Sequence, residues 1–311
     1  MVFRWNRSQG ERPLQLADLL DHGKAGSVLA FARGLFRAYY PAYAFGPVER
    51  VFGRVGDLYA GRYPGYRACN TQYHDYCHVL EVFSTTARLL DGRNLGGEPL
   101  DSGEAALLLI AALLHDSGYI QADSDLQGTG AKYTAVHVDR SAAFAVAEAK
   151  PLGLSTEEAE KVARLILGTD MAQPWETRAY ASEAERSRAT ILAAADLLGQ
   201  MGDRAYLEKL LFLYYEYREA GIGDYKTAFD ILKKTLGFYE IVKARLDGSL
   251  GSTAGFARAH FMARYGVDHD LYREAIERQM EYLRGIIEDD STNFRKKLKR
   301  MDLEGMEREN A

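Results

Sequence analysis

The pattern of apolar and polar residues predicts helices along almost the whole chain. Apolar residues recur at spacings of three and four, which is typical of helices with one buried face. Pairs with the spacing of a capping box, Asp101 with Glu104 and Ser155 with Glu158, mark two helix starts. Helices are predicted over 27–40, 47–59, 71–90, 101–114, 134–149, 155–167, 182–202, 205–220, 225–246, 253–265 and 271–287. Because the pattern contains no convincing strand and no tandem repeat, the predicted fold is all-α.

Turns and a change of helical register divide the chain into three predicted segments. Residues 1–62 form an N-terminal arm and helices that pack on the core, and a turn around Pro64 ends this segment. Residues 63–202 form the core, and 203–311 form a helical C-terminal extension. The chain has 311 residues, which is long for one domain, but one helical domain with additions at both ends accommodates that length.

Composition restricts the class of protein. Hydrophobic residues make up 47% and charged residues 27%, a profile typical of soluble globular proteins. The formal net charge of −5 gives no whole-chain attraction to nucleic acid or an anionic membrane. No apolar run approaches the roughly 20 residues that span a bilayer, and the first residues do not have the pattern of a signal peptide. With only two cysteines, we expect a cytoplasmic protein; its oligomeric state is left open, a homo-oligomer included.

The ten-residue apolar run Ala105–Leu114 is followed directly by His115 and Asp116. A run of this length is normally buried, so it carries the imidazole and the carboxylate into the interior. A buried carboxylate is costly unless it is paired or bound to a metal. This junction therefore suggests a metal ligand, with a capped, hydrogen-bonded helix end as the alternative.

Two other parts of the chain supply matching ligand types. His74 and His78 are four residues apart in the predicted helix 71–90, so we expect them on one face, about 5–6 Å apart. Asp196 lies in mid-helix among alanines and leucines, where solvation does not easily explain it. The alternatives are a solvent-exposed histidine pair and a polar surface stripe.

Two imidazoles and two carboxylates suit several divalent ions without distinguishing among Mn, Mg, Fe, Zn and Ni. One ion is expected, and the open positions on it would activate water. The predicted ligands are His78, His115, Asp116 and Asp196.

The order His…His-Asp…Asp resembles that of the HD-domain metal-dependent phosphohydrolase superfamily. More narrowly, Tyr73–His78 resembles the Tyr-His-Asn-x-x-His motif of cyclic-nucleotide phosphodiesterases. Ile166–Met171 is similar to their Ile-Leu-Ala-Thr-Asp-Met, and Ala194–Leu197 to their Ala-Ala-Asp-Leu. The resemblance covers about residues 70–200.

This resemblance implies an HD-domain helical bundle with a metal held by the four ligands above. It implies that Asp116 bridges to a second ion where one is present, and that His74 protonates the leaving oxygen. The chain departs from the phosphodiesterases and from the HD-GYP proteins after His-Asp, where it reads Ser117-Gly118-Tyr119. No substrate preference is therefore transferred from either group.

A glycine-rich stretch, 128–134, precedes the next predicted helix. Lys132 within it and Arg140 after it are candidates to hold a phosphate or another anionic group, an ordinary loop being the alternative. His137 is a candidate outer ligand or phosphate contact. Thr169 and Asp170 follow the helix 155–167, where simple capping is the alternative to a role in the site.

These features together predict an HD-type phosphohydrolase that cleaves a phosphoester in a small, nucleotide-like substrate by metal-activated water. His74, oriented by a neighbouring carboxylate, would be the general acid. One alternative is an HD-fold di-iron oxygenase, although such proteins generally have two histidines between the His-Asp and the last Asp, and this chain has His137 alone. The other is a non-catalytic nucleotide-binding module that signals through its C-terminal helices.

Overall fold

A computed structural model describes residues 13–175, 178–289 and 291–303. The described residues form twelve α-helices and no β-strand, so the all-α prediction is confirmed. In chain order the helices are α1 (Ala25–Tyr39), α2 (Gly46–Tyr59), α3 (Tyr76–Leu95), α4 (Ser102–Leu114), α5 (His137–Ala147), α6 (Ala149–Leu152), α7 (Thr156–Leu167), α8 (Glu183–Gly202), α9 (Tyr206–Ala220), α10 (Ala228–Asp247), α11 (Ser252–Tyr265) and α12 (Leu271–Glu288).

Both predicted helix caps are present, but only the one at α7 is a complete capping box. The Ser155 side chain accepts from the backbone N–H of Glu158, and the Glu158 side chain accepts from that of Ser155, a complete capping box at α7. At α4 the Asp101 side chain caps the helix as expected. Glu104 does not complete a box there, because its carboxylate pairs with Arg188 and Lys161 instead.

The start of α3 differs from the prediction in a way that affects the site. The helix begins at Tyr76 rather than at residue 71, because the Asp75 side chain accepts from the backbone N–H of His78 and caps it. His74 therefore lies in the loop before α3, and the prediction of a shared helix face with His78 was wrong. At its other end α3 continues past the predicted end at residue 90 to Leu95.

The predicted helix 134–149 also has different limits. Regular α5 begins at His137 and ends at Ala147, and the chain then continues into the short α6, which contains Pro151. Gly153 ends α6 in the left-handed conformation, with φ 73°, which suits a residue without Cβ.

Helices α3 and α4 form the centre of the fold. All ten residues of the run Ala105–Leu114 are buried. Helix α3 packs against α1, α4, α8 and α11, and α4 also packs against α2 and α7. His115 and Asp116, at the end of α4, are consequently enclosed, with 1% and 3% of their surface exposed.

The boundaries proposed at 62/63 and 202/203 remain predictions, although helices from both flanking segments contact the centre. Helix α2 packs on α4, and α11 packs on α3. Residues 1–12 of the predicted arm and 304–311 of the predicted extension lie outside the described residues. None of the described helices is long and apolar enough to cross a membrane.

Gly92 allows the closest approach between α3 and α11. A Cβ at this position would lie well inside van der Waals contact with the backbone carbonyl of Phe256 on α11. We expect Gly92→Ala to reduce the free energy of unfolding by about 1–3 kcal/mol, because backbone cannot move aside as a side chain can. Chemical denaturation of the full chain measures this change.

Gly34 provides the matched control for that substitution. It is an exposed position on α1, and a Cβ added there would meet no atom within 4 Å, so Gly34→Ala should raise stability by about 0.5–1 kcal/mol. Equal effects of the two substitutions would contradict the packing described here.

Candidate metal centre

Four side chains from three separate helices meet beneath the C-terminal end of α4. His78 Nε2 lies 3.3 Å from Asp116 Oδ2 and 3.4 Å from Asp196 Oδ1. His115 Nε2 lies 3.3 Å from Asp116 Oδ2 and 3.8 Å from Asp196 Oδ1. The two imidazole Nε2 atoms are 3.3 Å apart. The structure thus brings together the four residues that the sequence predicted as ligands.

The spacing of these atoms fits a metal ion between them. Bonds of about 2.1 Å place neighbouring ligand atoms about 3.0 Å apart in an octahedral site and about 3.4 Å apart in a tetrahedral one. The ligand atoms of His78, His115 and Asp116 all lie within 4.8 Å of one another. Asp116 Oδ2 is buried and makes no hydrogen bond to any described residue. A bound cation would satisfy this oxygen.

Backbone carbonyls fix the orientation of two imidazoles. His115 Nδ1 is 2.9 Å from the carbonyl oxygen of Ala112, which can only accept a hydrogen bond, so Nδ1 carries the proton. His137 Nδ1 donates in the same way to the carbonyl of Thr134, at 2.7 Å. In each neutral ring the Nε2 lone pair then faces the carboxylates. Such outer hydrogen bonds are the usual support of metal-binding histidines.

The electrostatics of the cluster favour positive charge. Burial alone would lower the pKa of His78, but the carboxylates of Asp116 and Asp196 raise it to about 10. Burial opposes the charged form of Asp116 as well, yet the neighbouring imidazoles, His115 first, hold the pKa of this carboxyl well below its usual range. Two carboxylates, of which that of Asp116 is buried, therefore attract cationic partners here. A divalent ion would supply that charge while leaving both imidazoles neutral.

Gly118 allows His137 to approach the cluster. A Cβ on Gly118 would overlap the carbonyl oxygen of His137 and crowd the backbone of Ser141, so α5 could not pack at this distance. The Gly118 N–H donates to Ser141 Oγ at 2.8 Å. As a result His137 Nε2 lies 3.6 Å from Asp116 Oδ1, on the carboxylate oxygen opposite the one near His78 and His115.

Tyr119 is stacked between two histidines. Its ring centroid is 4.2 Å from that of His74 at an interplanar angle of 13°, and 4.6 Å from that of His137 at 25°. The tyrosine is buried, and burial raises the pKa of its hydroxyl well above 10. Tyr119 therefore acts as a neutral spacer that fixes both imidazoles beside the cluster.

His74 is held by a carboxylate that the sequence analysis did not identify. Its Nδ1 is 2.6 Å from Glu216 Oε2, and the other oxygen of Glu216 accepts the backbone N–H groups of Gln72 and Tyr73. Glu216 belongs to α9, in the predicted C-terminal extension. The Nε2 atom of His74 lies 3.4 Å from the hydroxyl of Tyr119, whose ring is stacked on the imidazole. The missed signal was a buried carboxylate inside the aromatic stretch of α9.

The glycine-rich loop does not have the geometry of a phosphate cradle. The N–H of Thr129 donates to Glu219, that of Gly130 to Asn70, and that of Ala131 to the Thr129 hydroxyl. These donors are already occupied, and a Cβ at Gly130 would overlap the carbonyl of Tyr119. The loop is thus packed against the turn that contains Tyr119.

Four other predicted site residues make local contacts instead. Lys132 pairs with Asp125, and Arg140 donates to the carbonyls of Gly118 and Ile120. The Thr169 hydroxyl donates to the carbonyl of Ile166, and the Asp170 carboxylate accepts from the N–H of Ala172. Arg140 supports the Gly118 turn, and the contacts of Thr169 and Asp170 are those of helix capping.

Residues 64–250 match a family described as Npun_R2479-like. No curated protein matches the chain. The matched region includes every residue of the candidate metal centre, as well as His74 and its partner Glu216 on α9. Because the match extends over more than half of the 311 residues, the chain belongs to the Npun_R2479-like family.

Proposed function

We propose that this protein is a divalent-metal-dependent phosphohydrolase of the HD type, acting on a small, nucleotide-like phosphoester. The observation that carries the proposal is the group of His78, His115 and Asp116, whose ligand atoms all lie within 4.8 Å of one another. Asp196 lies near both imidazoles, and a carboxylate-paired histidine is beside the group. The order of these residues, and the likeness of three motifs to those of cyclic-nucleotide phosphodiesterases, support the same reaction class.

The proposed ligands are His78, His115, Asp116 and Asp196. A divalent ion bound there lowers the pKa of water and polarises a phosphoryl group. His115 presents its Nε2 to the cluster because Nδ1 is occupied by a backbone carbonyl. Asp116 contributes a buried oxygen that no described residue satisfies. Its second oxygen, near His137, gives the same carboxylate the geometry to face a second cation.

His74 is the proposed general acid. Its Nδ1–H is fixed by the carboxylate of Glu216, which leaves Nε2 as the nitrogen that exchanges a proton with a substrate. His74 and His78 have ring centroids 6.0 Å apart at an interplanar angle of 84°, so the proposed acid lies directly beside the ligand cluster. A proton delivered from Nε2 to the departing oxygen typically contributes about 10²–10⁴-fold to the rate.

The cluster is largely shielded from bulk water. His78, His115 and Asp116 are each at most 3% exposed. Asp196 is the most open of the four, with a side chain 19% exposed, so substrate is expected to enter on its side. In-line phosphoryl transfer depends mainly on positioning and charge neutralisation, and a rigid, enclosed cluster provides both.

Metal analysis combined with an activity panel tests this proposal. We expect purified protein to hold about one equivalent of divalent metal, and to hydrolyse phosphoesters with Mn²⁺, Mg²⁺, Fe²⁺, Zn²⁺ or Ni²⁺ restored after chelation. Removing the ion should also lower thermal stability, since an ion at 100 times its Kd stabilises the fold by about 2.7 kcal/mol. The measurements are elemental analysis, calorimetric unfolding with and without chelator, and phosphate release.

Other outcomes of the same panel would replace the proposal. Two iron atoms with oxygen consumption and no phosphoester hydrolysis would indicate the oxygenase. An intact metal site that binds nucleotides without turnover would indicate a signalling module. Absence of stoichiometric metal, together with absence of hydrolysis, would remove metal-dependent chemistry altogether.

A further inference from the structure

A buried lysine joins three of the elements that surround the candidate metal centre. Lys209 on α9 is 8% exposed, and its Nζ lies 3.1 Å from Oε1 and 3.4 Å from Oε2 of Glu81 on α3. The same Nζ is 2.6 Å from Oδ2 of Asp203, the residue that directly follows α8. One ammonium group therefore connects α3, the end of α8 and α9 inside the fold.

The charges in this group make the contact costly to lose. Glu81 is buried, and the Asp203 side chain is 14% exposed. Burial opposes the charged form of Lys209, but the carboxylates of Glu81 and Asp203 raise the pKa of its ammonium group above the usual range. Removing one partner of a buried ion pair leaves an uncompensated charge, which is far more costly than losing a surface pair. Lys209 thus holds both carboxylates in place.

Asp203 is itself fixed at the junction of α8 and α9. Its Oδ1 accepts the backbone N–H of Ala205, and its carbonyl accepts the backbone N–H of Tyr206. The side-chain amide of Gln279 on α12 donates to the same carbonyl. Because the junction is held on several sides, a displacement of Asp203 would move the adjoining ends of both helices.

Helices α3 and α8 carry proposed metal ligands close to these contacts. On α3, His78 precedes Glu81 by three residues, about 5 Å along the helix axis. Residues three apart lie on the same side of a helix, so Glu81 and the proposed ligand share one side of α3. On α8, Asp196 precedes Asp203 by seven residues, which is about two helical turns. The position of Lys209 therefore affects both ligands through short helical segments.

Helix α9 connects the same lysine with the proposed general acid. Glu216 follows Lys209 by seven residues, so the two side chains leave α9 on the same side, about two turns apart. Glu216 holds His74 at 2.6 Å. A shift of α9 at Lys209 would consequently displace the carboxylate that orients His74.

We propose that Lys209 is a positioning residue of the site, which sets the separation of His78, Asp196 and Glu216 by joining the elements that carry them. The inference rests on the proposed function, because it assigns a residue to the same site. It differs from a purely structural ion pair in its consequence. Loss of Lys209 would alter metal binding and proton donation in the folded protein, as well as its stability.

Binding of metal by the full chain tests this role apart from hydrolysis. Lys209→Met replaces the ammonium group with an unbranched apolar side chain, and circular dichroism checks that the variant is folded. We expect chelator-treated Lys209→Met to bind Mn²⁺ or Zn²⁺ about tenfold more weakly than the unmodified protein in isothermal titration. At saturating metal, hydrolysis of an alkyl phosphoester should fall at least about threefold more than that of a 4-nitrophenyl ester, because His74 is less well oriented.

Arg264→Met is the matched control. Arg264 on α11 pairs with the buried carboxylate of Asp91, which follows His78 on α3 by 13 residues, about 20 Å along the helix axis. Both variants should lower the midpoint of urea unfolding, because each removes a cation from a buried carboxylate. Only Lys209→Met should change the metal affinity or the preference between esters.

A second variant decides the question where Lys209→Met does not fold. Asp203→Asn keeps the shape of a partly exposed side chain, and should weaken metal binding at least about threefold. Unchanged metal affinity in folded Lys209→Met, or in Asp203→Asn where the first variant does not fold, would overturn the inference. An equal loss of affinity in Arg264→Met would overturn it as well, since the effect would then follow from lower stability alone.

The same measurements separate this inference from the proposed function. Metal binding without hydrolysis of either ester would overturn the hydrolase, whereas weaker binding by Lys209→Met would still support the positioning role. Normal hydrolysis by the unmodified protein, with the same metal affinity and ester preference in Lys209→Met, would overturn the positioning role and leave the hydrolase. Binding of neither ion by the unmodified protein would overturn both.

Discussion

Asp116→Asn is expected to remove the bound divalent ion and to reduce phosphoester hydrolysis by at least about 10³-fold. The substitution keeps the shape of the side chain but removes the charge from the oxygen that lies 3.3 Å from both His78 and His115. A catalytic ion is worth several kcal/mol in transition-state stabilisation, and each 1.36 kcal/mol is a factor of ten in rate. Elemental analysis and initial rates at saturating metal measure the two effects.

The control for this substitution is Asp123→Asn. Asp123 is an exposed carboxylate in the loop that follows the same turn, and its neutralisation should change neither metal content nor rate. Because Asp116 is buried, circular dichroism is needed to show that the variant is folded. A folded Asp116→Asn protein with a full equivalent of metal and normal hydrolysis would exclude the proposed metal centre.

The sequence was sufficient to predict the helices, and to pick out four side chains that the structure brings together, because both depend on local information. The run Ala105–Leu114 is buried, so His115 and Asp116, which follow it directly, are buried as well. The capping box at Ser155 fixes the start of α7 within a few residues. Asp196 was a candidate because solvation does not easily explain a mid-helix carboxylate among alanines and leucines.

Features that depend on contacts between distant segments were not predictable in this way. Glu216 follows His74 by 142 residues, and no pattern in α9 indicates which loop its carboxylate faces. The first turn of α3 was misplaced because the amphipathic pattern continues through residues 71–75, whereas the cap by Asp75 determines where the helix begins. The requirement for glycine at positions 118 and 92 likewise arises only because α5 and α11 pack closely against them.

The contact between His74 and Glu216 also joins the predicted extension to the site. Glu216 binds His74 and two backbone N–H groups of the same loop, so α9 sets the position of the proposed general acid. The helices after residue 202 are thus needed for a complete site. A truncated protein without them would lack the carboxylate that orients His74.

His74→Asn is expected to reduce hydrolysis of an alkyl phosphoester by about 10²–10⁴-fold, and to affect a 4-nitrophenyl ester much less. An alkoxide needs a proton as it departs, whereas 4-nitrophenolate is a stable anion. Metal content should stay near that of the unmodified protein, because His74 Nδ1 is bound to Glu216 and the ring lies outside the ligand cluster. Initial rates on the matched pair of esters measure the difference.

Glu216→Gln should reproduce this leaving-group dependence at a smaller magnitude, about tenfold on the alkyl ester, because Glu216 positions His74 and does not touch the substrate. The amide can still accept from the backbone N–H groups of Gln72 and Tyr73, but its NH₂ group would face His74 Nδ1 and disfavour the tautomer that the carboxylate selects. Glu240→Gln, an exposed site on α10, is the control and should not discriminate between the esters. Equal losses on both esters would assign His74 and Glu216 a purely structural role, since only a proton donor distinguishes leaving groups.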